Sequence, residues 1–109
     1  MKITHPLVLI MDNLGIALNY LGNYTGAIAE FIKAATLDPK DDYATYGEGI
    51  ALVGLAAEKH SFADLDLALQ LLHRTLEINH ANKDAKNAIM LIEEFFKYIH
   101  HIQSPPKKP

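Results

Sequence analysis

Cysteine is absent from this 109-residue chain, which excludes a disulfide framework, a thiolate zinc site and thiol catalysis. Valine occurs twice, against fifteen leucines, fourteen alanines and eleven isoleucines. That mixture favours helices over sheets. Arg74 is the only arginine, and the formal net charge is −3 with histidine neutral. Phosphate recognition leans on clustered Arg and Lys, so nucleic acid is disfavoured as a partner. Long apolar runs are missing too: none approaches the roughly 18 residues of a membrane span. The stretch Leu7 to Met11, after Met1-Lys2, is five residues long and ends at Asp12. A secretory h-region needs about 7–15. The expectation is a soluble, cytoplasmic protein with no membrane partner.

Hydrophobic residues make up 50% and charged residues 21%, close to the globular average, so one ordered domain is expected rather than a disordered chain. Leu7, Ile10, Met11, Leu14, Leu18 and Leu21 recur at spacings of three and four, the stripe of an amphipathic helix over about 6–21. Gly22-Asn23 breaks it, and Asn23 can cap a second helix over about 24–37 with Ala27, Ile28, Phe31, Ala34 and Ala35 on one side. Asp38-Pro39 stops that helix, because Pro39 lacks a backbone donor and disfavours helix at Asp38. Asp41 and Asp42 favour a third helix, about 42–59, with Tyr43, Tyr46, Ile50, Val53 and Leu55 as apolar positions. Ser61 caps a fourth, about 62–78, containing Leu65, Ala68, Leu69, Leu72 and Leu76. After a break at Asn79 to Asn82, a fifth helix over about 83–101 presents Ala85, Ala88, Ile89, Ile92, Phe96 and Ile99. Three of the five prolines fall in Ser104 to Pro109. The reading is one domain over 1–103 and a disordered Pro/Lys tail over 104–109.

The helix pairs also repeat in sequence. Leu14-Gly15, Gly22-Asn23-Tyr24, Ala27-Ile28, Phe31, Ala34 and Asp38-Pro39 fall in order within residues 8–41. This segment resembles one full tetratricopeptide repeat, with Met11 where the family usually has Trp. A drifted second copy spans 42–82. Gly49 stands for Gly15, Ala51 for Ala17, Phe62 for Tyr24, Ala68 for Ala27, Leu72 for Phe31 and Thr75 for Ala34. Gly15 to Ala27 is 12 residues and Gly49 to Ala68 is 19. The seven extra residues amount to about one turn on each arm of the hairpin. The fifth helix starts like a third repeat and then becomes Glu-, Phe- and Lys-rich, resembling the terminal helix that covers the end of such an array. Gly15 and Gly49 sit inside helices, where each costs about 1 kcal/mol against Ala. That cost makes sense where helices cross closely, with Ala27, Ala34 and Ala68 as the facing small residues. The expected fold class is all-α, with antiparallel helix hairpins stacked as a short tetratricopeptide-like right-handed superhelix.

Residues suited to chemistry are scarce. His100 and His101 are neighbours and point to different faces; His73 and His80 straddle a predicted helix end. No histidine pair has the i, i+4 spacing of a helical zinc site. Asp64 and Asp66 are two apart and do not face each other. There is no phosphate-binding Gly-rich loop and no Gly-x-Ser-x-Gly. Catalytic residues, a metal and a cofactor are therefore not expected. Asn23-Tyr24-Thr25 fits a glycosylation sequon without meaning in an unsecreted chain, and Pro106 to Pro109 is a minimal PxxP.

The resemblance implies a non-enzymatic scaffold or adaptor whose first helix in each hairpin lines a concave groove for a peptide or helix of a partner protein. Carried onto this chain, the groove residues are Leu9, Asp12, Ile16 and Asn19, then Tyr43, Tyr46, Ile50 and Val53. One subgroup of the family grips a C-terminal carboxylate with Lys and Asn at such positions. Asp12 and Ile16 stand there instead, and Gly47 replaces a further Asn, which argues against that clamp. The alternative is a small all-α enzyme or cofactor-binding bundle. About three repeats are needed for a stable stack, so the terminal helices, Leu7 and Ile10 of the first above all, are candidate faces for a homodimer.

Overall fold

The computed structural model describes residues 5–103; the tail at 104–109 lies outside them. The described residues form five α-helices and no strand: α1 (Pro6–Tyr20), α2 (Tyr24–Leu37), α3 (Asp42–Lys59), α4 (Phe62–Ile78) and α5 (Lys83–Gln103). Each start has a side-chain acceptor for an otherwise unpaired amide. The Asn23 Oδ1 accepts from Gly26 N–H at 3.0 Å, the Ser61 Oγ from Asp64 N–H at 3.1 Å, and the Asn82 Oδ1 from Ala85 N–H at 2.9 Å. Asp41 Oδ1 takes two amides, those of Tyr43 and Ala44. His5 caps α1 through its ring nitrogen, with Pro6 at the first helical position. Gly22 leaves α1 with a positive φ of 82°, which glycine adopts without steric cost. His60 takes the same left-handed turn at φ 54° between α3 and α4. The helix boundaries match the sequence reading except that α1 stops one residue earlier and α5 runs two residues further.

Consecutive helices pack against each other, and α1 also reaches α3. The result is elongated, 62 × 28 × 18 Å, with two adjoining cores rather than one centre. The first gathers Val8, Ala27, Phe31, Ala34, Ala44 and Ala51 from α1, α2 and α3. The second gathers Leu72, Ala85, Ile89 and Ile92 from α4 and α5, with Tyr46, Ile50 and Val53 of α3 leaning on it. Sandwiched between α1–α2 and α4, α3 buries its small residues: Ala44, Thr45, Gly47, Gly49, Ala51, Leu52 and Ala56. The larger apolar residues of α3, four of them expected in the groove, lie nearer the surface. Tyr43 is exposed, and Tyr46, Ile50, Val53 and Leu55 are only partly buried, because a helix with neighbours on two sides packs closely only through short side chains.

Phe31 explains two glycines. A Cβ on Gly15 would lie 2.7 Å from its Cζ, and one on Gly47 would clash with the same ring. The Phe31 ring thus fills the notch between α1 and α3, and the predicted pairing of Gly15 with Ala27 and Ala34 gives way to a glycine–aromatic contact. In the second hairpin, Gly49 does face Ala68, whose carbonyl oxygen lies 3.4 Å from the Cβ position, alongside Leu72 at 3.1 Å. Thr75 replaces the small alanine of the first hairpin without an unpaired polar group, since its hydroxyl donates to the Leu71 carbonyl at 3.0 Å.

The second hairpin is longer, with α3 and α4 at 18 and 17 residues against 15 and 14 for α1 and α2. The growth falls at the hairpin tip, about one turn per arm. At the opposite end, Asn79 and Asn82 both donate to Asp42 Oδ2 at 3.0 Å, tying the α4–α5 turn to the start of α3. The 21-residue α5 runs from that tie along the second hairpin. It buries Ala85, Ile89 and Ile92, but Leu91, Phe95, Tyr98 and Ile102 stay exposed. Its outer surface therefore departs from the polar face of a helix that closes an array.

Candidate binding groove

Between α1 and α3 lies a cleft of about 230 Å³. Its walls include Ile16 and Asn19 of α1 and Tyr43, Tyr46 and Ile50 of α3, with Phe31 and Gly47 at its floor. Five of the eight residues expected in a groove thus meet in one place. The spacing explains why: Ile16 and Asn19 are three apart on α1, and Tyr43, Tyr46 and Ile50 recur at three and four on α3. Tyr20 also lines the cleft, a residue the sequence reading passed over although it follows Ile16 by one turn.

The other three expected residues lie elsewhere. Leu9 is exposed on α1 outside the cleft. Val53 belongs to a second cavity. Asp12 is buried, with 4% of its surface exposed, and so is not displayed to a partner. Burial first, then a hydrogen bond with Asp41 and the negative charges of Asp41 and Asp38, push its carboxyl from 3.8 to about 8. Asp12 Oδ1 and Asp41 Oδ2 are both buried with no other hydrogen-bond partner. Burial and the adjoining Asp41 carboxyl thus favour the protonated form of Asp12, whose hydroxyl is a donor suited to Asp41 in the turn before α3.

Electrostatics in the cleft follow from what the helices carry. Neither Lys nor Arg occurs in α1, and Lys59 in the last turn is the only one in α3. Burial, then the nearby Asp84 carboxylate and Tyr43, raise the Tyr46 hydroxyl above its ordinary value, so Tyr46 stays a neutral donor. Asn19 Oδ1 is a buried acceptor with no partner. The cleft therefore offers aromatic and aliphatic area with a few uncharged polar tips.

The repeat-signature residues divide by burial. Gly15, Ala27, Phe31, Ala34, Gly49 and Ala68 are buried, and Tyr24 packs over Gly54. Leu14 is exposed, since no helix among the described residues covers that side of α1; Gly22 and Pro39 sit in exposed turns.

A larger cavity of about 500 Å³ opens where the extended tip of the α3–α4 hairpin faces α5. Val53, Ala56, Phe62, Leu65, Leu91 and Phe95 line it, and Phe62 meets Phe95 and Phe96 edge-on at centroid distances of 6.2 and 6.3 Å. The sequence signal for it was Leu91 and Phe95, four apart and off the main stripe of α5. Among the described residues, no group of three or more His, Asp or Glu side chains is placed to hold a metal ion, and no helix is long and apolar enough to cross a membrane. No protein-family model matches the chain, and no curated protein matches it.

Proposed function

We propose that this chain is a non-enzymatic, tetratricopeptide-like interaction module that holds a peptide or helix of a partner protein in the α1–α3 cleft. The observation that carries the reading is the convergence of Ile16, Asn19, Tyr43, Tyr46 and Ile50 on one concave, uncharged surface. Tyrosines suit such a surface because they combine a large rigid area with a polar tip and lose little entropy on binding. A cleft of this size takes one or two side chains, so the partner is anchored by apolar or aromatic residues of an extended or helical segment. An adaptor acting in the cytoplasm fits this chemistry.

Tyr43→Ala combined with Ile50→Asp tests the reading. Both positions are at least partly exposed, so the helical circular-dichroism signal should persist. Proteins captured from a native lysate by the unaltered chain should be lost with the double variant. Retention of every captured protein would remove the groove assignment.

A further inference from the structure

The outer flank of α5 carries Ala88, Leu91, Phe95, Tyr98 and Ile102, a 3-4-3-4 spacing that forms one straight stripe. The stripe is separate from the Ala85, Ile89, Ile92 face that packs on α4. Ala88 at its start packs against the second core and Phe95 meets Phe62, but the rest is open among the described residues: Leu91 is 69% exposed and Tyr98 61%. Phe62, also exposed, extends it across the hairpin tip. These large side chains present on the order of 100 Å² each. Together they form an apolar patch on the order of 500 Å², already most of the roughly 800 Å² per partner of a stable interface.

Relief along the stripe is uneven. Its first half, Leu91 and Phe95, forms one wall of the 500 Å³ cavity. Its second half, Tyr98 and Ile102, projects into solvent. One half is a hole and the other a pair of knobs, an arrangement complementary to itself when the helix is turned end for end. We propose that α5 is a homodimer interface, in which α5 pairs antiparallel with α5 of a second copy about a two-fold axis. Leu91 then packs against Ile102 of the second copy and Phe95 against its Tyr98, so that each copy's Tyr98 and Ile102 fill the other's cavity.

The polar flank agrees with this register. Glu94 and His101 border the stripe on the side away from α4, and the antiparallel pairing sets Glu94 opposite His101 of the second copy, twice by symmetry. An imidazole N–H donates to a carboxylate whether or not the ring is charged. Among the described residues Glu94 pairs with Lys97, one turn along its own helix at 3.5 Å. The competing apolar stripe on α1 (Leu7, Ile10, Leu14) lines neither of the two cavities described above. The one Asp, Glu, Lys or Arg on its helix is the buried Asp12, and so nothing on its surface sets a register. The α5 interface is independent of the α1–α3 cleft and leaves it open.

Sedimentation velocity over a concentration series should show a species of twice the 12.1 kDa chain mass. Leu91→Glu with Tyr98→Lys should convert it to monomer without loss of helicity. The groove variant Tyr43→Ala/Ile50→Asp should remain dimeric, which separates failure of this proposal from failure of the groove. The chain has no cysteine, so register is read by introduced pairs. Leu91→Cys with Ile102→Cys should oxidise to a covalent dimer, whereas Leu91→Cys alone should not. A monomer at all concentrations, a dimer that survives Leu91→Glu/Tyr98→Lys, or equal cross-linking by the single cysteine variant would each overturn the assignment.

Discussion

Phe31 and Gly47 show how one side chain sets the identity of a residue on another helix. The Phe31 ring is buried to 2% and lodged between α1 and α3, so it has nowhere to retreat. Gly47→Ala gains about 1 kcal/mol of helix propensity but forces a methyl group into that ring, and overpacking of this kind costs about 1–3 kcal/mol. With a Cβ landing inside the Phe31 ring's contact distance the clash wins, and urea denaturation should show a net loss of up to about 2 kcal/mol. Phe31→Leu in the same chain should recover part of it. Asp12 is the second residue-scale case. Its carboxyl titrates near the ordinary 3.8 in the unfolded chain and near 8 in the folded one. Between those values the folded state holds more protons than the unfolded state, so stability falls as pH rises through that window. Asp12→Asn supplies a permanent donor to Asp41. It should flatten the slope and raise the denaturation midpoint at the alkaline end. A slope unchanged by Asp12→Asn would mean that the pair does not share a proton.

At the scale of elements, helix starts were legible because capping is local. Asn23, Asp41 and Ser61 each sit where the sequence places them, and each accepts an amide two or three residues on. Asn82 does more: it caps α5 and also donates to Asp42 of α3. Loss of an N-cap alone costs about 1 kcal/mol. Asn82→Ala should therefore lower stability by about 1–2 kcal/mol, more than Asn23→Ala, whose side chain bonds only within its own turn. Comparing the two variants by thermal denaturation measures the surplus. The lengthened second hairpin was legible too, as seven extra residues between Gly49 and Ala68. Its consequence was not. The added turns project at the tip, and only their position against α5 opens the 500 Å³ cavity.

Over the whole molecule, stability is divided between neighbours because helices pack mainly on those next to them, with smaller contacts such as α1 on α3. The helix α3 has partners on two sides, whereas α5 packs chiefly on α4 with a few α3 side chains at its inner face, so local opening should follow that order. Native-state hydrogen exchange should find the α3 amides most protected and the second half of α5 least. Raising the protein concentration should selectively slow exchange in α5 as the antiparallel pair forms. Uniform protection across all five helices would mean a single cooperative core instead.

The all-α class, the five helices and most of their limits followed from the amino-acid sequence, because propensity, three-four periodicity, caps and proline stops act over a few residues. The five residues that meet in the cleft were named through the resemblance to a tetratricopeptide repeat, and helical spacing explains only why those on one helix share a face. Tertiary structure alone decided that Asp12 turns inward beside Asp41, that Gly15 and Gly47 answer to Phe31, and that α5 leaves an apolar flank uncovered. Each of these depends on which helix lies opposite, and the distances that set steric room and proton affinity exist only once the helices have packed.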